Sequence, residues 1–339
     1  MKRHWHWFEL IGVAGLLVAA MIAVLSVGDI SLSPAMTIRV LLGQSSDFQA
    51  NFVIWQLRFP RLLAALITGS TLALAGLLLQ TLTQNALADS SILGINAGAS
   101  LGAVTLMAVA GMIGTHYTSG QLSLAVLVGA LVSCTLVMLV NRQQNAIRIL
   151  LGGVALTAVM NGLILLIELQ LNQFDFSQAL IWLSGSFWNT NLTFLTWHFW
   201  LAVGLGLATG LTIPLLTGLT LGPGMAEGIG VNVKMAQRVL MALAIGLTTI
   251  AVSVGGAISF VGLMAPNIAK RFVGLRMRWL VPLSWIMGML IMVIAEFIAT
   301  NALGKMSLPV GLVVAMITMP YFIFQLFSQR TTLNRGTHQ

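Results

Sequence analysis

The sequence predicts an all-α polytopic membrane protein of about ten transmembrane helices. Three observations predict it. Of 339 residues, 58% are hydrophobic and only 7% charged, with a mean hydropathy of +0.96. Soluble domains carry roughly a quarter charged residues, so a water-soluble globule is excluded. Nine long apolar runs lie near 7–27, 58–82, 92–112, 121–140, 148–170, 193–219, 236–254, 279–300 and 309–328. Runs near 20 residues span the hydrocarbon core as helices, which satisfy their own backbone. The charges gather in the connections, and their distribution demands one further crossing.

The first run follows Lys2 and Arg3 and is too long for the core of a secretory signal, so it reads as a membrane helix. The second is opened by Arg58 and Arg61. A polar loop with Asn85 and Asp89 separates it from a glycine-rich third run. The fourth contains Cys134, the chain's single cysteine, so no intrachain disulfide can form. The tenth crossing is hidden at 257–269. With nine crossings and an inside N-terminus, Lys270, Arg271, Arg276 and Arg278 would face outside, as would Arg330 and Arg335. Gly255-Gly256 supplies a break and Pro266 a stop. Thirteen helical residues reach only about 20 Å, so this segment is either a packed core kink or an element of a transport pathway.

Ten crossings put twelve basic residues inside (Lys2, Arg3, Arg142, Arg148, Lys234, Arg238, Lys270, Arg271, Arg276, Arg278, Arg330, Arg335) and four outside (Arg39, Arg58, Arg61, Lys305). This sets both termini on the cytoplasmic side of the membrane. The chain reads as a single membrane domain over 1–339. Its helices form two groups of four, about 58–170 and 236–328, entering the bilayer in opposite directions, which is the arithmetic of an inverted repeat. The longer connections are 28–57 and 171–192 outside and 220–235 inside.

The motifs RFPR at 58–61, Gly69, Gly76, Gln80, QNALAD at 84–89 and LGINAGASLG at 93–102 mark the first half. LGPGMAEGIGVNV at 221–233, GGAISFVGLMAP at 255–266 and LPVG at 308–311 mark the second. In this order they resemble the FecCD-type permeases, the type II membrane subunits of ABC importers for iron-siderophores, haem and cobalamin. The resemblance runs over about 50–328. The sequence departs from the family pattern at Gln84, Ala86, Asn267, Ser307 and Thr300.

The resemblance implies partners: ATP-binding-cassette ATPases, an extracellular or periplasmic substrate-binding protein, and a second permease subunit, identical or related. It implies that Arg58 and Arg61 receive acidic residues of the binding protein; anchoring to lipid phosphate is the competing reading. It implies that the loop 220–235, through Gly222, Ala226, Gly230 and Val231, is a coupling helix for the ATPase, against a plain solvated connector. It implies that Asn85 and Leu87, with Asn145 and Ala146, close the cytoplasmic mouth, whereas Asn85 alone reads equally as a turn residue.

The chain has no phosphate-binding loop, so any ATP hydrolysis belongs to a partner and the chain is not an enzyme. No cofactor and no metal site are expected: His4, His6, His116, His198 and His338 are scattered, and no hard oxygen cluster for bare Fe³⁺ exists. Nucleic acid is not needed to explain the net charge of +8, which topology accounts for. Two other functions are weighed. One is a proton-coupled secondary transporter using Glu168 or Glu296. The other is an intramembrane hydrolase using Ser184 or Ser186 with His198. Ferric siderophore is the favoured cargo by resemblance, with haem or cobalamin as alternatives.

Overall fold

The computed structural model describes residues 5–28, 30–91, 94–140, 146–187, 191–303 and 307–321. Every element within them is helical. The order is α1 (Trp5–Ser26), α2 (Pro34–Leu41), α3 (Phe48–Phe52), a π-helical segment (Val53–Arg58) and α4 (Phe59–Thr83). There follow α5 (Ile95–Ile113), α6 (Ser119–Val140), α7 (Ala146–Glu168), α8 (Gln173–Leu183), α9 (Leu192–Leu211), α10 (Ile213–Leu219) and α11 (Pro223–Gly228). The chain continues with α12 (Val233–Gly255), α13 (Val261–Val273), α14 (Met277–Asn301) and α15 (Val310–Tyr321).

Eight stretches are long and apolar enough to cross a bilayer: α1, the continuous Phe48–Thr83, α5, α6, α7, α9, α12 and α14. The shorter α15 lies in the ninth apolar run, 309–328, and α13 overlaps the segment 257–269 that the charge distribution singled out. The chain is a multi-pass membrane protein. Lys2, Arg3, Arg142, Asn145, Lys305, Arg330 and Arg335 lie outside the described residues, and so do the side chains of Ala146 and Arg148.

Helix α4 is the axis of the fold. Its backbone touches two neighbours directly, because glycine stands at each crossing. A Cβ on Gly69 would lie 2.3 Å from the Gly288 carbonyl of α14, and one on Gly76 would lie 1.9 Å from the Gly262 carbonyl of α13. Without an aqueous driving force between helices, such close backbone approach supplies the packing energy.

Three boundaries differ from those read in the sequence. Arg58 does not open a helix: residues Phe48–Thr83 are continuous, and Asp47 caps the true start by accepting from Gln49 and Ala50 N–H. The run 193–219 is two helices, because Pro214 cannot donate to Gly210 and the chain bends at Thr212. The hidden crossing is Val261–Val273 rather than 257–269, and Pro266 lies inside it instead of ending it. A proline leaves the carbonyl four residues back without its donor. That carbonyl is Gly262, and Gln80 Nε2 of α4 supplies the missing bond at 3.2 Å.

The helices also define two ends. At one, His6 and Trp7 of α1 meet Arg276 and Trp279 at the start of α14, with His6 Nε2 and Arg276 Nη1 3.2 Å apart. At the other, Arg58 donates to the carbonyls of Leu25, at 2.7 Å, and Ile30. Thus the chain start and the basic residues around 276 share one end, as the tenth crossing requires.

Candidate functional site

The chain is interrupted twice at depth, and the two interruptions meet. Helix α12 stops at Gly255, whose Cβ would touch Thr68 of α4. Gly256 turns with φ +74 and Phe260 with φ +70, and α13 restarts where Gly262 faces Leu72 and Gly76. These positions lie near the middle of α4 (Phe59–Thr83). Beyond the end of α4 the chain returns to the same level: Asn96, in the first turn of α5, donates to the Ile258 carbonyl at 3.3 Å. The climb from Thr83 to the level of Leu72 is roughly 16 Å at 1.5 Å per residue. Non-helical backbone at that depth is tolerated only inside protein, and Ala88, Asp89 and Ser90 are accordingly buried.

Side chains stitch the two segments. Asn267 Nδ2 donates to the Ala86 carbonyl at 2.8 Å. Lys270 Nζ donates to Gln80 Oε1 at 2.6 Å, and the amide of Gln80 turns to Gly262 and Leu263. Asp89 Oδ2 accepts from Ser91 Oγ at 2.9 Å and from the Phe260 N–H at 3.2 Å. Between this seam and the Arg58 end lies a cavity of about 300 Å³, whose lining includes His116, Tyr117, Gln178, Trp182, Ser186 and Ser253.

The residues singled out in the sequence fall as follows. Asn85 makes a turn, its Oδ1 accepting from Leu87 N–H at 2.9 Å, and both residues stand at the foot of the buried loop. Lys270, counted as a topological charge, is folded against Gln80. Arg58 sits on the carbonyl end of α1, where the partial negative charge of a helix terminus favours a cation; this compensates its unusual position. Glu296 of α14 is buried. Glu168, at the end of α7, is also buried.

The loop after α10 forms α11, a helix of six residues. Gly222 and Gly230 turn at its two ends with φ +90 and +85. Ala226 faces inward at 0% exposure, and Val231 packs against Gly218. The large apolar side chains exposed on α11 and its C-cap are Met225, 66% exposed, and Ile229, 63% exposed, with Glu227 exposed between them. Sequence reading passed over both. The signal was there: two large apolar residues at i and i+4, Met225 and Ile229, in a connection whose 222–230 stretch is otherwise Gly, Pro, Ala and Glu227. Gln84 ties this region to the first loop by donating to the Leu219 carbonyl at 3.0 Å.

The hydrolase reading finds no support in this geometry. His198 is hydrogen-bonded to Ser123 Oγ and the Phe194 carbonyl, and Ser184 donates to the Leu180 carbonyl. Among the described residues, no group of three or more His, Cys, Asp or Glu gathers as a metal site.

Comparison with known proteins fits this architecture. The model of the FecCD transport family matches residues 16–328. The iron(3+)-hydroxamate import system permease protein FhuG of Bacillus subtilis (strain 168) is 33% identical over 318 residues, covering 92% of this chain and 94% of its own. The vitamin B12 import system permease protein BtuC of Vibrio cholerae serotype O1 (strain ATCC 39315 / El Tor Inaba N16961) is 32% identical over 319 residues, covering 92% and 91%. A solved structure of a metal-chelate type ABC transporter in an inward-facing conformation superposes with a TM-score of 0.81 at 25% identity, covering 94% of this chain and 99% of that one. The chain belongs to the FecCD transport family.

Proposed function

We propose that this FecCD-family chain is the membrane-embedded subunit of an ATP-binding-cassette importer, and that it carries a ferric siderophore across a bacterial cell membrane by alternating access. The observation that carries the reading is the family match over 16–328, laid on a fold whose two chain breaks meet at mid-depth beside a polar cavity. Broken helices at the midplane are where transporters place their pathways. Similarity to hydroxamate and citrate permeases favours an iron chelate as cargo, and similarity to a vitamin B12 permease keeps a corrinoid as the second reading.

In this scheme Asn85 and Leu87, with Asn145 and Ala146 from the neighbouring connection, close the cytoplasmic mouth. Helix α11 is the coupling helix: Gly222 and Gly230 shape it, Ala226 and Val231 anchor it, and Met225 and Ile229 enter the ATPase. Arg58 and Arg61 mark the face that receives the substrate-binding protein, and a second permease copy or relative completes the pathway. Both termini face the cytoplasm, and the groups 58–170 and 236–328 are inverted repeats. The matching ordinal places of the two breaks, after α4 and after α12, support that last point.

The test is uptake in the native host after deletion of this gene. Cells are given radio-iron on ferrioxamine, on citrate or as haemin, and labelled cyanocobalamin separately. Loss of a hydroxamate or citrate signal, restored by the gene only while the partner ATPase is present, is expected. Uptake that persists without the ATPase and collapses with an uncoupler would replace this reading with secondary transport through Glu168 or Glu296.

A further inference from the structure

We propose that Asp89 is a positioning residue: it ties the loop segment 84–91 to the break between α12 and α13, so that the two interruptions move as one body when the inner mouth opens. The proposal rests on the importer reading above and adds a residue to it.

The argument begins with what α13 lacks. Its N-cap is Phe260, which has no side-chain oxygen to offer the first turn, and no capping side-chain bond is made. Phe260 also stands in the left-handed region, with φ 70 and ψ −17, a strained conformation for a bulky residue. Something outside the segment must hold it. The Asp89 carboxylate holds Phe260: Oδ2 accepts its N–H, while Oδ1 lies beside the first turn without a hydrogen bond, where a Cβ on Gly262 would come within 2.4 Å of it. A carboxylate at a helix N-terminus is favoured by the partial positive charge there. Here it comes from the opposite interruption, 171 residues away in sequence.

Asp89 is 2% exposed, and its Oδ1 has no hydrogen-bond partner among the described residues. A charge-bearing group buried with one oxygen unsatisfied is costly. The sequence could have used the bland solution, a Ser or Asp at 260, at less expense. The cross-segment bond gives connection in return. Asn96 to Ile258 and Ser259, and Asn267 to Ala86, place two further ties on either side of it. Three ties at separate points along both segments resist relative rotation as well as separation.

The test uses the full transporter, reconstituted with its ATPase and binding protein, and radio-iron ferrioxamine as cargo. Iron moved per ATP hydrolysed is measured, a ratio independent of the folded fraction. Asp89→Ala is expected to lower it at least tenfold. Asp89→Asn, which keeps an oxygen toward Phe260, is expected to stay within about threefold of the parent. An unchanged ratio in Asp89→Ala, or an Asn variant as impaired as the Ala variant, overturns the assignment.

A second arm replaces Cys134 by Ser and joins Ala86→Cys to Asn267→Cys with a short thiol cross-linker. One body predicts equal uptake before and after linking; arrest on linking overturns it. If the unmutated transporter moves no ferrioxamine and needs no ATPase for any cargo, the importer reading has failed instead, and the two failures are told apart.

Discussion

Helices α1 and α4 look alike as sequences and differ as structures. Both are long and strongly apolar, and both contain two glycines. Yet 17% of the apolar window of α1 is buried inside the molecule, against 89% for the stretch ending in α4. The difference lies in what the glycines meet. Nothing approaches Gly12 or Gly15 within 4 Å, whereas Gly69 and Gly76 lie in backbone contact with α14 and α13. Hydrophobicity says that a segment belongs in the membrane; it does not say whether its neighbours are lipid or protein. In lipid, that second choice is made by shape, because apolar burial between helices gains nothing over burial in acyl chains.

The sharpest way to break this comparison is a single methyl group. Gly76→Ala forces α4 off Gly262 and should reduce folded, monodisperse protein in mild detergent at least tenfold, judged by size-exclusion chromatography. The matching change Gly12→Ala in α1 should stay within about 0.5 kcal/mol of the parent. Equal tolerance at both positions would mean that α4 is not the axis.

A smaller effect tests the polar side of the same axis. Gln80→Leu strands the Lys270 ammonium and the Gly262 carbonyl, and should cost about 2–3 kcal/mol in the thermal stability of the purified protein. In a Pro266→Ala background the restored N–H serves Gly262. The cost of Gln80→Leu should then shrink by about 1 kcal/mol, a coupling that a double-mutant cycle measures. Simple additivity would remove the account of why α13 survives its proline.

The least effect on stability is expected where exposure is greatest. Met225→Ala with Ile229→Ala should leave melting within about 0.5 kcal/mol while cutting ATPase-dependent uptake about tenfold. Full uptake in that variant would return α11 to the status of a plain connector.

Much was legible beforehand because the bilayer is a blunt solvent. Apolar runs had to be helices, and the arginines around 276 had to return to the side of the chain start, so a helix too short to be noticed by length was found by charge. The turn at Asn85 and the break at Gly256 were equally local matters, written in residue types that favour them. The family resemblance rested on such local strings and held.

The rest depended on partners distant in the chain. Pro266 read as a stop, and is one unless a donor arrives from elsewhere; Gln80, 182 residues earlier than Gly262, is that donor. Lys270 counted as a cytoplasmic charge until α4 offered it an amide oxygen. Arg58 stood out as a cation at a helix start, and tertiary structure moved the helix start to Asp47 and gave Arg58 the carbonyl end of α1. Composition thus determined which segments belong in the membrane, because transfer into lipid is priced residue by residue. Which helix became the centre, and which loops were drawn back into it, was decided only by folding, since those outcomes turn on backbone contacts and hydrogen bonds between segments that no local pattern pairs.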